Sequence, residues 1–503
     1  MAGWWQRLFA RKAGVVRRPV TIRARYDAAQ TSEENYRHWS ASDGFGARTA
    51  NSHQVRVTLR NRARYEVANN CYARGMVHTL AGDMVGTGPT LQLLTEDLNV
   101  NRQVEAAFGR WSRAVGLARK LRTAKTAKVV DGETFLLHTT NELLPDPVKL
   151  DVIPIECDQV AQPYVVREAL LAPQTYLDGL VMDEAGNVVS YDVLSQHPGD
   201  AILWGMDYRR YPARLVRHWF RCDRPGQIRG VSELTPALPL FAFLRRYTLA
   251  TVSAAEIAAN FAGLLETEAP PDGTTNEPTP FETLEIERGM MTTLPSGSRL
   301  NQLKAEQPTT TYPDFKRELL KEIARCLGIP FILAAQDSSL SNYSSGRMDA
   351  LPYRDLVRTE RDECEAVVLD PILMAWLDEA ANVPGLLPAG LDLADLPHAW
   401  VWPGWSYVDP QKEAAADTER LANGTVSFSE LVRQRGRDPE DVLTERARDL
   451  EMFEEMGLPL PAWATGGQPA APAPPTPTDT TDATDPEDAG DAADPADATE
   501  TET

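Results

Sequence analysis

Several short runs of polar and glycine residues carry side chains of the types that catalysis or metal binding uses. Asp131 and Glu133 could hold a metal ion with a distant carboxylate, but this pattern is more typical of a turn into a strand. Asp314 and Lys316 resemble the end of a nuclease carboxylate–lysine motif, yet the first turn of a predicted helix favours a helix-terminus charge. The glycine-rich run 82–89 follows a helical pattern and lacks the Gly-Lys-Ser/Thr ending of a phosphate loop, so it indicates a turn.

Other reactive residue types are sparse and scattered. The seven histidines include no pair at i, i+4 and none beside a cysteine at zinc-ligand spacing. No Gly-x-Ser-x-Gly sequence is present. Five widely separated cysteines without a C-x-x-C indicate a reducing compartment rather than a disulfide framework. The sequence therefore predicts no catalytic residue, no metal and no cofactor, and it favours a protein that is not an enzyme.

The charge is strongly acidic and unevenly placed. The formal net charge is −21, from 51 basic and 72 acidic residues, which excludes a simple basic coat for nucleic acid. Residues 1–30 form a basic arm, whereas residues 471–503 contain ten acidic residues and no basic one. The Pro-, Ala-, Thr- and Asp-rich tail from 458 to 503 is predicted to be disordered. No apolar run is long enough for a membrane span and no secretion signal is evident, so we expect no membrane partner.

The elements that would position any site change in type along the chain. In the first half, apolar periodicity predicts helices at 53–82 and 100–120. Strand signals follow at 131–138, 148–155 and 214–220, with a hairpin at 180–194. The first half is therefore α+β.

The second half is predicted to be mainly helical. A helix of about eight turns at 236–265 and a helix at 312–328 flank a proline-rich insert with short apolar runs at 281–286 and 290–294. A third helical region at 342–380 contains Pro352 and Pro371, where kinks are expected. Capping signals place further helices at 427–436 and 438–456. A helix, a small insert and a returning helix suggest a stalk with a tip.

Four motifs in a fixed order resemble the lambda-type family of portal proteins of tailed bacteriophages, and the resemblance runs from about residue 50 to 457. The first is Arg224-Pro225-Gly226-Gln227-Ile228-Arg229-Gly230, before the long helix. The second is 327–330 followed by the segment 337–347. The third is Trp402-Pro403-Gly404-Trp405 with Asp409-Pro410, and the weaker fourth is Gly424 followed by 436–440. These motif residues are expected to be structural.

The resemblance implies a portal fold and a ring of twelve subunits. Such a subunit has an α/β wing, a two-helix stem, a small clip insert, a kinked long helix and a helical crown. The ranges of this chain would be a basic arm at 1–30, wing at 31–235, first stem helix at 236–265, clip at 266–311, second stem helix at 312–329, channel loop region at 330–347, kinked long helix at 348–380, wing or crown helices at 381–457 and acidic tail at 458–503.

The resemblance also implies location and partners. The ring would sit at the portal vertex of the virion capsid, after assembly in the host cytoplasm. Double-stranded DNA would pass through it, and it would contact the terminase large subunit, the major capsid and scaffolding proteins and head–tail adaptor proteins. Two alternatives remain open: another structural head–tail connector, and a DNA-processing enzyme, which would need a carboxylate cluster or a phosphate loop.

Two groups of residues are candidates for facing the DNA. Lys316, Lys321 and Arg325 are expected to share one face of the second stem helix, where each would be repeated around the ring. The Ser-, Asn- and Tyr-rich segment would make weak, sequence-blind phosphate contacts, although it could simply cap the following helix. Its candidate residues are Asp337, Ser338, Ser339, Asn342, Tyr343, Ser344, Ser345 and Arg347.

Overall fold

The computed structural model describes residues 37–162, 175–200, 207–260, 264–267, 298–301, 312–339, 341–388, 391, 393, 396–405, 410–461 and 463–464. The chain divides into two compact units, Met1–Arg437 and Asp438–Thr503. The basic arm, the strands expected at 281–286 and 290–294, and nearly all of the acidic tail lie outside the described residues.

Five helices cover the first part of the first unit, and they correct the predicted boundaries. They are α1 (Ala47–Ala50), α2 (His53–Asn69), α3 (Cys71–Val85), α4 (Leu98–Val115) and α5 (Leu117–Asp131). The single helix expected at 53–82 is wrong, because Asn70 adopts an extended conformation and its side chain caps α3. The helix expected at 100–120 is likewise two helices, since Gly116 adopts a left-handed conformation with φ 66°.

Within residues 31–235, the range expected to be the wing, two antiparallel sheets contain the five predicted strands and two that were not predicted, at 176–177 and 208–212. A three-stranded sheet has the order β3 (Leu150–Ile155), β2 (Glu133–Thr140), β8 (Val216–Phe220). A four-stranded sheet joins β4 (Tyr176–Leu177), β5 (Leu180–Met182), β6 (Val188–Leu194) and β7 (Tyr208–Pro212) in chain order. The hairpin prediction is confirmed by the pairing of β5 with β6.

Strand β2 is central and buried on both faces. Phe135 and Leu137 pack in a cluster with Tyr191 of β6, whereas Leu136 faces the main core. This alternation follows from the two-residue period of a strand. The main core contains Phe108, with ring centroids 5.3 Å from Trp376 and 5.6 Å from Trp400.

One strand pair joins distant parts of the chain and was not predicted. Strand β1 (Thr90–Leu93) pairs antiparallel with β11 (His398–Val401). Both strands are four residues long, which is too short for a periodic signal. The pairing brings the Trp402 motif, which directly follows β11, beside the wing.

Helices are present in both ranges expected to form the stem, 236–265 and 312–329, with one corrected end. Helix α6 (Leu238–Asn260) follows a 3₁₀ turn at Thr235–Ala237, and α7 is Tyr312–Cys326. The prediction that the first helix reaches 265 is wrong, because β9 (Leu264–Thr267) pairs there with β10 (Ser298–Asn301). Tyr247 stacks on Tyr312 at 5.4 Å and meets Phe315 edge-on at 4.9 Å, so aromatic rings join the two helices.

The third helical region is longer than one α-helix. A short helix α8 (Phe331–Ala335) precedes α9 (Tyr343–Cys364), a π-helical turn at Glu365–Leu369 and α10 (Asp370–Ala380). The π-helical turn precedes Pro371 and places this proline in the first turn of α10, where its missing N–H is tolerated. The kinks expected at Pro352 and at Pro371 stay predictions.

Helices complete the C-terminal part as predicted. The first unit ends with α11 (Pro410–Ala422) and α12 (Phe428–Gln434), and Ser427 caps α12 by accepting a hydrogen bond from the N–H of Glu430. The second unit contains α13 (Pro439–Glu455), capped by Asp438. Among the described residues, no helix is both long and apolar enough to cross a membrane.

Candidate nucleic-acid interface

The first motif ends in a buried ion pair that holds the wing together. Arg229 donates to both carboxylate oxygens of Glu133, the first residue of β2, over 2.7–2.9 Å. It also donates to three backbone carbonyls, those of Cys157, Val160 and Asp178. Arg229 is 2% exposed and Glu133 is fully buried. The motif arginine therefore ties β2 to two loops, the one that contains Cys157 and Val160 and the turn at Asp178.

Several groups besides Arg229 act on the Glu133 carboxylate, and one of them is the guanidinium of Arg60, 3.7 Å away. Burial disfavours the charged carboxylate, but Arg229 and His218 outweigh burial and hold the pKa of Glu133 well below its usual value. His218 lies 3.0 Å from the carboxylate, and the N–H of Gly230 donates to it over 3.0 Å. A Cβ at Gly230 would overlap the carbonyl oxygen of Gly132. Arg229 thus supplies the charge that pairs with Glu133, and Gly230 allows its backbone to lie close to that of Gly132.

The earlier residues of the first motif build a turn. Gly226 has φ 81°, a conformation that favours glycine. The side chain of Gln227 accepts from the N–H groups of Asp223 and Arg224 and donates to the carbonyls of Arg221 and Arg229. Arg224 reaches the carbonyl of Phe45, and Pro225 lies within the same exposed turn. These residues position Arg229 and are exposed at the surface.

The Trp402 motif anchors the long helix α9. Trp402 donates to Glu365 over 2.5 Å, and the guanidinium of Arg361 lies 5.3 Å from its ring. Arg361 also donates to the carbonyl of Pro403 and to the last carbonyls of α3, at Asp83 and Met84. Three parts of the chain therefore meet at one arginine.

The rest of the third motif is placed by close packing. A Cβ at Gly404 would lie 2.6 Å from the Cα of Arg435, which is possible only for glycine. The guanidinium groups of Arg354 and Arg361 lie 5.4 Å and 5.9 Å from the Trp405 ring. Pro410 is the exposed first residue of α11, and Asp409 lies outside the described residues.

The structure separates the three stem cations that were expected to share a face. Lys321 and Arg325 are exposed, and Lys321 pairs with Glu318 over 2.7 Å. Lys316 is half-buried instead, with its ammonium 5.1 Å from the Tyr72 ring and 5.8 Å from the Tyr312 ring. It lies roughly half a turn around α7 from Arg325. The expectation of one shared face is therefore wrong for Lys316, which packs against the wing.

The exposed face of α7 is a narrow charged stripe. Asp314, Glu318, Lys321, Glu322 and Arg325 recur at three- and four-residue steps, and all five are exposed. The opposite face carries Leu320 and Ile323, which are buried in the main core. Since acidic and basic groups alternate, the stripe has little net charge and stays hydrated.

The polar segment before α9 is mainly a helix cap. Asn342 accepts from the N–H of Ser345, and the Ser345 hydroxyl accepts from the N–H of Asn342, which completes a capping box. Asp337 accepts from the N–H of Ser339, and this bonding lowers its pKa. For Asp337, Ser339, Asn342 and Ser345, these hydrogen bonds support the interpretation that the segment caps the following helix.

Other residues of the segment are left for outside contacts. Ser338, Ser344 and Arg347 are exposed, and Tyr343 is the first residue of α9. Arg347 lines a groove of about 680 Å³ together with Arg354, Trp405 and residues of α11 and α12.

Comparison with known proteins decides the family. A family model described as "Phage portal protein, lambda family" matches residues 34–361, which is most of the chain. The chain belongs to the lambda family of phage portal proteins. A "Probable portal protein" of Halomonas phage phiHAP-1 is 25% identical over 469 residues, covering 88% of this chain and 89% of that one. The "Portal protein" of Escherichia phage N15 is 24% identical over 183 residues, 33% of each chain.

Solved structures of neck assemblies are also similar to this portal protein. One is titled "Neck of native GTA particle computed with C12 symmetry", with 16% identity, a TM-score of 0.44 and coverage of 81% of this chain and 99% of that chain. Another is titled "Neck of empty GTA particle computed with C6 symmetry", with the same identity and TM-score and coverage of 76% and 94%.

Carboxylates of this portal protein that are spaced like metal ligands form ion pairs with Arg64. Asp131 receives two hydrogen bonds from Arg64, over 2.7 and 2.8 Å. Among the described residues, Glu156, Asp158 and His197 form one group with suitable spacing, yet Arg64 lies 3.1 Å and 3.0 Å from these carboxylates. His197 Nδ1 also accepts from the N–H of Gly199, and its Nε2 lies 3.2 Å and 3.4 Å from the carboxylates of Glu156 and Asp158. This group is an ion-pair cluster.

Several residues that determine the architecture were not found from the sequence. Lys125 and Lys128 of α5 both bind Glu360 of α9, over 2.8 and 2.7 Å, and Lys128 is fully buried. Lysines on a predicted helix normally indicate a solvated face, so no local signal marks them. Lys128 also binds Glu363 over 3.1 Å. No local signal in the sequence marks Arg361 either. Only a tertiary contact across more than 230 positions reveals these pairs.

Proposed function

We propose that this portal protein forms a ring, with twelve copies as the expected number, at one vertex of the capsid. Its channel carries double-stranded DNA during packaging and ejection. Its outer end serves as the platform for the terminase large subunit and later for head–tail adaptor proteins. The ring contacts the major capsid and scaffolding proteins. The membership of the chain in the portal family is the observation that carries this proposal.

The charged stripe of α7 supports a role for this helix in lining the channel. DNA must slide through a portal, so its phosphates must not be held by a dense basic surface. Lys321 and Arg325 alternate with Glu318 and Glu322 on this stripe. A ring would repeat each charge at equal spacing around the lumen, giving weak guidance without a fixed binding site.

The segment 337–347 is proposed to form a loop at the channel. Its capping residues order the loop, because the side chains of Asn342 and Ser345 each accept a hydrogen bond from the other residue's backbone N–H. Ser338, Ser344 and Arg347 are then presented on a defined support. Hydroxyl groups and one arginine per subunit provide sequence-blind contacts to phosphates.

Assembly is the first test of the proposal. Negative-stain microscopy and native mass measurement of the purified full chain should show rings with a central hole and a mass near twelve times 55.6 kDa. A neighbouring ring number would keep the portal function and change the stoichiometry. A chain that stays monomeric or dimeric over a range of salt would contradict the proposal.

Charge reversal tests the lumen assignment. The double variant Lys321→Glu, Arg325→Glu should lower DNA retention in packaged particles, because two rings of positive charge become negative. Arg62→Glu, at an exposed site on α2, is the matched control and should leave retention unchanged. Equal retention in the double variant and the control would remove α7 from the channel surface.

A further inference from the structure

A groove lies between α9 on one side and α11 and α12 on the other. Its volume is about 680 Å³, and every residue that lines it belongs to the first unit of the chain. On α9 the lining positions recur at three- and four-residue steps from Arg347 to Asp362, so one face of this helix forms a wall about 22 Å long. The groove therefore fits an elongated occupant rather than a small ion.

The groove concentrates arginine in an acidic protein. Seven of its 21 lining residues are arginines, whereas the whole chain has 51 basic residues in 503 and a formal net charge of −21. Three of the seven are committed to the fold. Arg361 donates to three backbone carbonyls, and Arg433 donates to Gln92. Arg435 pairs with Asp417 over 2.9 Å. The other four arginines carry the charge that the groove presents.

These four arginines are accessible to a ligand. Arg347, Arg358 and Arg420 are exposed, and Arg354 is half-buried. The side chains of Arg358 and Arg420 are 73% and 53% exposed, and their ion pairs have N–O distances of 3.4 Å and 3.6 Å, longer than a normal hydrogen bond. Since a guanidinium has five N–H donors, such loose pairs leave most of its donors for a ligand.

The carboxylates among the lining residues do not cancel this charge. Five carboxylates face seven arginines, which leaves two positive charges in excess even when all five are ionised. Burial raises the pKa of Glu365, which accepts from Trp402 over 2.5 Å, and so favours its uncharged form. Asp417 is shared by Arg435 and Arg420. The local charge is therefore positive, opposite to that of the whole chain.

The tryptophan rings of the groove are already covered. Trp400 and Trp402 are only 8% and 7% exposed. The guanidinium groups of Arg354 and Arg361 lie 5.4 Å and 5.9 Å from the Trp405 ring. Sites for single-stranded nucleic acid stack bases on open aromatic rings, and a phosphate backbone with closely spaced charges would also meet the five carboxylates. These features favour a ligand whose negative charges are fewer and separately placed.

The geometry points to an acidic peptide as the occupant: we propose that the groove between α9 and α11–α12 binds an acidic segment of a partner protein. Guanidinium groups bind carboxylates with two parallel hydrogen bonds, and a peptide places its carboxylates opposite individual arginines. The rest of the acidic chain repels such a segment, so the local reversal of charge also selects the site. The inference goes beyond the proposed function, because the groove lies within one chain and needs no ring.

Fluorescence polarisation of the full chain with a fluorescein-labelled, glutamate-rich peptide tests the inference. We expect saturable binding that weakens as salt is added, and no binding of the same peptide with Gln in place of every Glu. Arg358→Glu, Arg420→Glu should weaken binding at least about tenfold, and circular dichroism should show an unchanged fold. The matched control Arg62→Glu, Arg74→Glu reverses two exposed arginines of α2 and α3 outside the groove and should bind like the wild type.

Four results would overturn the inference. The first is a wild-type chain that does not bind the peptide, and the second is equal binding by the groove variant and the control. The third is a single-stranded oligonucleotide that binds more tightly than the peptide and loses affinity in the same variant, which would make the groove a nucleic-acid site. The fourth is peptide binding that appears only after residues 465–503 are removed, which would assign the groove to the acidic tail of the chain itself.

Discussion

The buried junctions of the wing and the exposed stripe of α7 use the same residue types in opposite ways. Arg229 and Lys128 are fully or almost fully buried. Arg229 binds one carboxylate and three carbonyls, and Lys128 binds the carboxylates of Glu360 and Glu363. Lys321 and Arg325 are exposed, and Lys321 has one partner a turn away. The packing around each side chain, rather than its residue type, decides whether the charged group stabilises the fold in buried contacts or is exposed to solvent.

The energetic reason for this difference is desolvation. A buried ion pair that loses one partner leaves an uncompensated charge in a medium of low polarity, which costs about 3–5 kcal/mol. An exposed pair contributes about 0–1 kcal/mol, since water replaces the lost partner. Variants of the buried junctions should therefore mainly lower the free energy of unfolding, whereas variants of the α7 stripe should mainly change DNA retention.

The largest effect is expected at the first motif. Arg229→Ala removes the bidentate partner of Glu133 and leaves Arg60 at 3.7 Å, His218 and the N–H of Gly230, so the free energy of unfolding should fall by about 3–5 kcal/mol. Urea unfolding followed by circular dichroism measures this change. Arg325→Ala should change it by less than about 0.5 kcal/mol. Equal effects at the two sites would break the distinction between the regions.

The contribution of the contact between α5 and α9 to the free energy of unfolding is expected to depend on pH. Burial opposes ionisation of Glu360, but Lys125 and Lys128 outweigh it and lower its pKa to about 2. A depressed carboxyl pKa stabilises the fold above its usual value near 4.5, and the contribution disappears as pH falls towards 2. Glu360→Gln should therefore lose about 3 kcal/mol at pH 7.

The pH profile provides the control for this prediction. The difference between wild type and Glu360→Gln should shrink steadily as pH is lowered from about 4.5 to about 2. Glu318→Gln on α7 should show no comparable difference at any pH, since its partner Lys321 is exposed. A constant difference over the whole range would refute the assigned ionisation.

Two glycines of one motif should respond unequally to alanine. At Gly230 a Cβ would overlap Gly132 and stand 2.8 Å from the Cβ of Glu133, so Gly230→Ala should cost about 3 kcal/mol. At Gly226 there is open space and only the positive φ opposes alanine, at about 1–2 kcal/mol. Melting temperatures of the two variants check the order, and the reverse order would mean that the turn matters more than the junction.

The smallest stability effect is expected in the segment before α9. Asn342→Ala removes one half of a capping box and should cost about 1 kcal/mol. Ser344→Ala, at an exposed position in the first turn, is the neighbouring control and should be nearly neutral in stability. If both variants lowered DNA retention equally, the hydroxyl and amide groups would contribute through contacts and not only through the cap.

Local signals in the sequence were sufficient for many elements. Strands β2, β3 and β8, the β5–β6 hairpin and helices α7, α12 and α13 lie where alternation, proline, glycine and capping residues indicated them, whereas β4 and β7 were not predicted. Boundaries failed at Asn70 and Gly116, where one residue in an extended or left-handed conformation divides an uninterrupted apolar pattern. Periodicity carries no information about such single-residue breaks, because the apolar spacing continues across them.

Of the candidate site, the sequence determined which residues are polar and in what order the family motifs follow one another. The tertiary structure alone decided which charges are buried, because Lys128, Glu360 and Arg361 meet partners far away in the chain. It also decided that Lys316 packs on Tyr72 while Lys321 and Arg325 stay exposed. A helix pattern fixes the angle between side chains, but only the packing of neighbouring elements determines which side of the helix water can reach.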